Sequence, residues 1–508
     1  MSVQRNILAN YASQGYVALL AIAMLPYFIR SMGAEAYGLV SLFAMMQAWF
    51  ALLDLGLTPT MTRETARFRG GEAGAWRLRR LLRSLEAVFL AFAVLGGGCL
   101  IFAADQIAAN WLKVGVIETR EVVGALRLMT LTVMLRWMSE LYRGVLVGCE
   151  RMVWLGAFSS VMATARFLLV IPLFHAVGTG VREFFMFQLC VAGAELLLLM
   201  RKAYGVLPAV PVAATRGGGN PLREVMGFSL SMALASAAWV SASQADKLLL
   251  SGLLSLADYG WFSLTALAAS AVLLLSSPIV SALMPRMSLL HAKGNEAALL
   301  SLYRLATQWV GLVAWPVCAV LVVQPQLVLW VWTGDTQLAA HAAPTLSLYA
   351  LGNGAMAMAA FPYYLQFAKG ELRLHLLGTA LFVILLLPSM AWAVGRHGAL
   401  GAGWAWFATN LTYFTLFVPV AHARYAAGLH GRWLLRDVAP QVALSFAGAA
   451  VSLCLPRPDQ RLFGAIQLLL TLGAALITGS LGSSWVRGSI ATLLLIWRLR
   501  LKRQTRAA

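Results

Sequence analysis

Long apolar runs separated by short polar segments make up most of this chain. The runs at 85–104, 302–323 and 374–394 approach the roughly 20 residues that a helix needs to cross a hydrocarbon core about 30 Å thick. About fourteen such runs can be recognised, centred near residues 20, 47, 95, 134, 164, 191, 239, 272, 314, 355, 384, 410, 447 and 472. The pattern predicts an all-α polytopic membrane protein with about fourteen transmembrane helices.

The composition supports the same class of protein. Of the 508 residues, 60% are hydrophobic and 12% are charged, which leaves too little polar surface to cover a water-soluble globule of this size. The five cysteines lie in or beside apolar runs without the spacing of metal ligands, so we expect small buried side chains and no metal site. No cofactor is expected, and proton coupling, sodium coupling or the membrane potential are the candidate energy sources.

The net charge of +19 is explained by topology rather than by binding to nucleic acid. If both termini are cytoplasmic, most of the 39 lysines and arginines fall in cytoplasmic connections and tails, as the positive-inside rule requires. We therefore expect a multi-pass protein of the bacterial inner membrane with both termini inside. The basic segment 490–506 is expected to lie at the interface, held by anionic headgroups.

A short motif occurs twice in the chain. Residues 32–39 read MGAEAYGL and residues 254–261 read LSLADYGW, and further matches follow at nearly the same offset. The copies begin six predicted helices apart, and an even number of crossings gives both copies the same orientation. Parallel repeats of this kind are a transporter architecture with the substrate site between the halves. The alternative is that the Tyr-Gly pair merely suits short interfacial turns.

The repeat predicts two six-helix bundles, related by a parallel pseudo-two-fold repeat around a central cavity, followed by two additional helices. The expected parts are an N-terminal bundle (1–205), a cytoplasmic linker (206–226), a C-terminal bundle (227–425), two further transmembrane helices (426–486) and a basic cytoplasmic tail (487–508).

Ionisable side chains inside the apolar runs are the candidate functional residues, because such groups are costly at membrane depth and usually face a cavity or each other. The fourth run carries Arg127, Arg136, Glu140 and Arg143, and spacings of four and three place the last three on one face. Arg166 lies near the middle of the fifth run. Guanidinium groups fork onto phosphate, so a cationic chamber would suit a phosphorylated substrate.

Structural alternatives remain open for these residues. Arg136 and Glu140 could form an ion pair within one helix, while Arg127 and Arg143 could extend to opposite interfaces. Further residues are candidates for ion coupling or for lining the cavity, with structural pairing as the alternative, and these are Glu195, Asp246, Lys247, Asp54 and Arg30.

Four stretches of the sequence resemble segments of a known protein family. PYFIRSMGAEAYGLVS at 26–41 and LLDLGLTPTMTRETAR at 52–67 resemble the N-terminal signature of Wzx-type flippases for lipid-linked oligosaccharides. These flippases belong to the multidrug/oligosaccharidyl-lipid/polysaccharide (MOP) superfamily. DKLLLSGLLSLADYG at 246–260 and SPIVSALMPRMSLLHAKG at 277–294 are similar to the corresponding part of its second half. The two additional C-terminal helices look more like the fourteen-helix members.

The resemblance implies a flippase rather than an enzyme. The cargo would be an undecaprenyl-pyrophosphate-linked oligosaccharide, moved from the cytoplasmic to the periplasmic leaflet for O-antigen or exopolysaccharide assembly. A polysaccharide polymerase and glycosyltransferases are the expected protein partners. We expect Arg136 and Arg166 to bind the headgroup, Arg127 and Arg143 to attract it, and Glu140 to orient them.

Two other classes remain. A drug or cation antiporter of the same superfamily would show a dominant acidic cavity rather than a basic one. A membrane-embedded polymerase or acyltransferase would need paired carboxylates or a His-Asp constellation on a substantial loop, and the sequence shows neither.

Overall fold

The computed structural model describes residues 3–54, 56–69, 74–208, 240, 244 and 246–489. Within these ranges the chain is helical, and its only β-type pairing is an isolated bridge between Lys113 and Ser255. Contacts divide the chain into two compact units, Met1–Gly260 and Trp261–Ala508.

The described residues of the first unit form the helices α1 (Val3–Met32), α2 (Ala34–Phe50), α3 (Leu57–Arg69), α4 (Ala75–Phe92), α5 (Gly98–Gln106), α6 (Thr119–Gly148), α7 (Met152–Leu168), α8 (Val170–Val177) and α9 (Val181–Val206). A π-helical turn at Ala93–Gly97 joins α4 to α5, so the two run on as one crossing that extends to Trp111. Residues 246–253 are also helical.

The next helix, α10 (Leu256–Ala292), crosses from the first unit into the second. The described helices that follow it are α11 (Glu296–Val323), α12 (Pro325–Thr333), α13 (Thr336–Ala359), α14 (Phe361–Lys369), α15 (Arg373–Thr412), α16 (Val418–Tyr425), α17 (His430–Arg432), α18 (Ala439–Ala450) and α19 (Arg461–Gly482). A sharp kink divides α15 at Gly398, whose positive φ of 57° is easily adopted only by glycine.

The predicted polytopic fold is confirmed. In the described part of the chain, 10 helices are long and apolar enough to cross a membrane. The run predicted near 47 forms α2, the run near 355 forms α13, and the runs near 384 and 410 are the two parts of α15. The run near 239 lies outside the described residues, and the total of about fourteen crossings stays a prediction.

The predicted domain boundaries also stay predictions. Only 206–208 of the predicted linker and 487–489 of the predicted basic tail belong to the described residues. The proposed interfacial segment 490–506 lies outside them.

A large apolar cluster holds α4, α6 and α9 together in the first unit. Phe89 stacks on Trp137 with ring centroids 4.3 Å apart, and Leu82, Leu141 and Leu199 are fully buried in the same cluster. Because lipid tails are as apolar as leucine, such helices associate through close van der Waals packing rather than through exclusion of water. This packing fixes the positions of the helices that carry the ionisable side chains.

The two Tyr-Gly motifs pack against each other. A Cβ built on Gly38 would lie 2.1 Å from the carbonyl oxygen of Leu256, and one built on Gly260 would lie 2.7 Å from that of Ala34. Tyr259 is fully buried beside them. Each glycine therefore allows α2 and the start of α10 to approach at backbone distance, which is a packing role for the repeated motif.

Glu35, in the first copy of the motif, holds the connection before α6. Its carboxylate accepts hydrogen bonds from the backbone N–H groups of Gly115, Val116 and Ile117, at 2.5, 2.7 and 3.0 Å. Lys113, in the same connection, donates from Nζ to the carbonyl oxygen of Leu253 at 2.7 Å.

Replacing Gly38 with alanine should destabilise the protein, because the new methyl group would meet a backbone oxygen that cannot move independently. We expect a loss of about 1–3 kcal/mol, the usual result of overpacking. Gly124→Ala in α6 is the matched control, since a Cβ there meets nothing within 4 Å. Thermal unfolding in detergent should show a lower Tm for G38A and an unchanged or raised Tm for G124A. Equal stability of G38A and the wild type would contradict the close packing.

Candidate functional site

The predicted ionisable residues of α6, α7 and α9 converge in the first unit around one buried carboxylate. Glu195 of α9 has a side chain only 4% exposed. One of its oxygens accepts a hydrogen bond from Arg143 Nη2 at 2.5 Å, and the other accepts one from Arg166 Nη2 at 2.7 Å. Glu195 is therefore the shared partner of two arginines from two different helices.

Arg136 lies beside this pair but is held differently. Its Nη1 donates to the amide oxygen of Gln47 at 2.9 Å, and its Nη2 donates to that of Gln188 at 2.7 Å. The guanidinium also lies over the ring of Phe43, 5.0 Å from the centroid. Because neutral amides satisfy its donors without cancelling its charge, Arg136 keeps its positive charge without a carboxylate in contact.

The side chain of Gln188 connects the two halves of the cluster. It is 3% exposed, and its Nε2 donates to the backbone carbonyl oxygen of Arg166 at 3.2 Å. A buried amide with both ends engaged has one orientation, so Gln188 presents its oxygen to Arg136 and its nitrogen to α7. We refer to Arg136, Arg143, Arg166, Glu195 and Gln188 as the arginine cluster.

Glu140 has a smaller part than the sequence suggested. Its carboxylate lies 3.3 Å from Arg143 Nε, and its side chain is 55% exposed. Arg143 donates in addition to the hydroxyl of Ser159 at 2.9 Å. Orientation of the arginines thus depends mainly on Glu195, while Glu140 lies at the edge of the cluster.

Two arginines of the cluster have a buried Nε without a hydrogen-bond partner among the described residues. The Nε atoms of Arg136 and Arg166 are buried and make no hydrogen bond within the described part of the chain, whereas that of Arg143 lies 3.3 Å from the Glu140 carboxylate. An unsatisfied buried donor costs roughly 1–3 kcal/mol, so an acceptor that reached either Nε would stabilise the cluster.

The structure places Arg127 away from the cluster. It lies nine residues before Arg136 on α6, which corresponds to about 13.5 Å along the helix axis. Arg127 Nη2 donates to Asp105 at 2.8 Å, and both side chains are largely exposed.

The remaining predicted candidates occupy several other places. Asp54 accepts hydrogen bonds from the backbone N–H and hydroxyl of Thr58 at the start of α3. Arg30 lies exposed near the end of α1. Asp246 is buried and accepts from the backbone N–H of Lys247, whose Nζ donates to Gln244 at 3.0 Å.

Sequence reasoning missed the neutral members of this site. Gln188 precedes Glu195 by seven residues, which puts both on one face of α9, and that spacing could have identified it. Gln47 and Ser159 could not be identified from the sequence, because an isolated amide or hydroxyl in a membrane helix is uncharged and does not require a charged partner.

The chain matches a known protein family. The family described as "Polysaccharide biosynthesis protein" matches residues 3–291, which is more than half of the chain. The chain belongs to this family.

This member of the polysaccharide biosynthesis family is also similar to a Shigella flexneri protein named "Putative O-antigen transporter". The two are 20% identical over 419 residues, which cover 80% of this chain and 94% of that protein.

Two solved structures share its fold. The lipid II flippase MurJ, in an inward closed conformation, has a TM-score of 0.69 at 11% identity, and the match covers 96% of this chain and 99% of that one. An inward-facing multidrug resistance MATE family transporter of the MOP superfamily also has a TM-score of 0.69, at 12% identity over 81% of this chain and 94% of that one. The fold that the resemblance implied, which is the fold of these transporters, is confirmed.

Replacing Glu195 with glutamine should destabilise the first unit. Arg143 and Arg166 would lose their shared counter-charge in a site of low dielectric, and we expect a loss on the order of 3 kcal/mol. Asp105→Asn is the control, because it removes the same charge from the exposed pair with Arg127. We expect it to lower the stability by only about 0–1 kcal/mol, the usual contribution of an exposed ion pair.

The measurement is thermal unfolding of the purified variants in detergent, with the wild type alongside. E195Q should unfold at a clearly lower temperature than D105N. If the two variants unfold together at the wild-type temperature, Glu195 does not hold the cluster.

Proposed function

We propose that this protein is a flippase that moves an undecaprenyl-pyrophosphate-linked oligosaccharide from the cytoplasmic to the periplasmic leaflet by alternating access. Its membership of the polysaccharide biosynthesis family and its MurJ-like fold support a lipid-linked cargo. The bacterial inner membrane, with both termini cytoplasmic, is the proposed location, because that orientation puts most basic connections inside.

The observation that carries this proposal is the bonding of Arg136. Its two terminal nitrogens rest on the neutral oxygens of Gln47 and Gln188, while Arg143 and Arg166 are already paired with Glu195. A diphosphate can replace two amide acceptors with charged ones and gain the stronger, charge-assisted bonds that guanidinium forms with phosphate. Arg136 is thus the proposed primary ligand of the headgroup.

The ion pairs around Glu195 have a preparatory role in this mechanism. They hold Arg143 and Arg166 beside Arg136 despite the mutual repulsion of three positive charges. Both side chains remain partly exposed, at 21% and 22%, so each can also approach a bound anion. The glycan would occupy an aqueous space, and the polyprenyl chain would stay in lipid.

The energy source is proposed to include the membrane potential. Moving an anionic headgroup outward is favoured by an inside-negative potential, by about 2.3 kcal/mol per charge per 100 mV. Proton or sodium coupling would add to this term. A polysaccharide polymerase and glycosyltransferases are the proposed partners, because they would consume and supply the cargo.

A drug or cation antiporter is the second candidate, favoured by the similarity to the MATE family fold. The arginine cluster argues against it, because a cation would meet three guanidinium groups around a carboxylate that two of them already occupy. Sensitivity to cationic drugs, without any defect in surface polysaccharide, would favour this candidate over the flippase.

Replacing Arg136 with glutamine should abolish export, because the headgroup would lose the guanidinium that has no carboxylate partner. Arg127→Gln is the matched control, since it makes the same change on the same helix outside the cluster. The measurement is the amount of lipid-linked oligosaccharide that remains in the cytoplasmic leaflet of cells expressing each variant, together with surface polysaccharide.

We expect R136Q to accumulate inward-facing oligosaccharide with little surface polysaccharide, and R127Q to behave like the wild type. Arg166→Ala should also lose export while the protein still inserts into the membrane. Equal amounts of both variants in the membrane fraction are required for the comparison. Wild-type export by R136Q would remove Arg136 from the headgroup site.

A further inference from the structure

A second basic site lies in the second unit, apart from the arginine cluster. A cavity of about 510 Å³ opens between the first turns of α11, the connection before α17 and the segment after α19. Two arginines, Arg304 and Arg432, line it together with Leu300, Leu305, Leu429 and Trp485. It therefore combines positive charge with an apolar wall.

Arg304 is held by Asp437, a residue that does not line the cavity. Its Nε and Nη2 donate to the two oxygens of Asp437 at 2.6 and 3.0 Å, and Gln308 Nε2 donates to the same carboxylate at 2.8 Å. Asp437 is fully buried, so this carboxylate is enclosed by its partners. Arg304 Nη1 is left without a hydrogen bond among the described residues.

Arg432 adds a charge with no acidic partner. It is exposed, and none of the described residues forms an ion pair or hydrogen bond with its side chain. The nearest carboxylate along α11, Glu296, is taken up by Lys369 at 3.0 Å and His291 at 2.9 Å. With Arg304 and Asp437 cancelling each other, the cavity retains one net positive charge.

The sequence that follows the described residues is basic. The residues after 489 include Arg498, Arg500, Lys502, Arg503 and Arg506 but no aspartate or glutamate. The described residues that line the cavity include no carboxylate, so an anion from outside the chain can supply the counter-charge.

We infer that this cavity binds the phosphate of an anionic phospholipid. The ligand chemistry is a phosphate group, which a lipid headgroup or a soluble phosphate could supply. The apolar wall favours the lipid, because Leu300, Leu305 and Leu429 offer contact to the glycerol and the first acyl carbons. Tryptophan such as Trp485 is enriched at the headgroup level, and basic pockets between transmembrane helices suit such headgroups.

This site does not depend on the identity of the transported substrate. It lies in the second unit, whereas the proposed headgroup ligands of the flippase all belong to the first unit. Loss of transport in an Arg136 variant and loss of lipid binding here are thus separate results.

The test uses the full chain purified in detergent and mixed with equal amounts of phosphatidylglycerol and phosphatidylcholine. Native mass spectrometry then gives the ratio of the two lipids retained. We expect a preference for phosphatidylglycerol that falls roughly fivefold in Arg432→Gln, the factor that corresponds to about 1 kcal/mol per basic residue near an anionic lipid. Ser301→Trp, which fills the cavity from its exposed rim, should lower the preference without changing the charge.

Arg436→Gln is the matched control, because it removes one exposed arginine a turn further along that does not line the cavity. It should keep the wild-type lipid ratio. A ratio that is unchanged in both R432Q and S301W, or one that falls equally in R436Q, would overturn the site. Displacement of phosphatidylglycerol by an equal concentration of inorganic phosphate would overturn the assignment to a lipid.

Discussion

The pairing of Glu195 with Arg143 and Arg166 is the interaction on which the functional region depends. A carboxylate buried in a membrane protein is stable only when its charge is compensated, and here two guanidinium groups compensate it from different helices. The same geometry brings two like charges close together without separating α6 from α7. It also leaves Arg136, a neighbour on the same helix face, without a carboxylate of its own.

Close backbone packing makes this arrangement possible. In lipid, helices gain little from hiding apolar side chains, so they associate where small residues allow backbone contact. Gly148 of α6 illustrates this, because a Cβ there would lie 2.5 Å from the carbonyl oxygen of Thr62 in α3. Gly38 and Gly260 do the same where the two motif copies meet. These contacts set the distances at which the polar side chains meet.

The two basic sites differ in how their arginines are held. Arg136 is positioned by neutral amides and keeps its charge for a ligand, whereas Arg304 is positioned by Asp437 and is largely neutralised. A site that binds and releases a cargo needs charge that is positioned but not already satisfied. A site that retains a structural lipid can rely on one remaining charge, from Arg432, and on apolar contact.

The sequence by itself determined the fold class and the residues of interest, because the run length matches the bilayer and ionisable groups within such runs are rare. It singled out Arg136, Arg143 and Arg166, which the structure brings close together, and it identified the duplicated Tyr-Gly motif. Only the tertiary structure decided the partners. Spacing along α6 favoured Glu140 as the orienting acid, yet Glu195 is the carboxylate that three-dimensional packing brings between the arginines. The roles of Gln47 and Gln188 could be recognised only in the assembled structure, because the contacts of a neutral amide, and not its residue type, show that it belongs to the site.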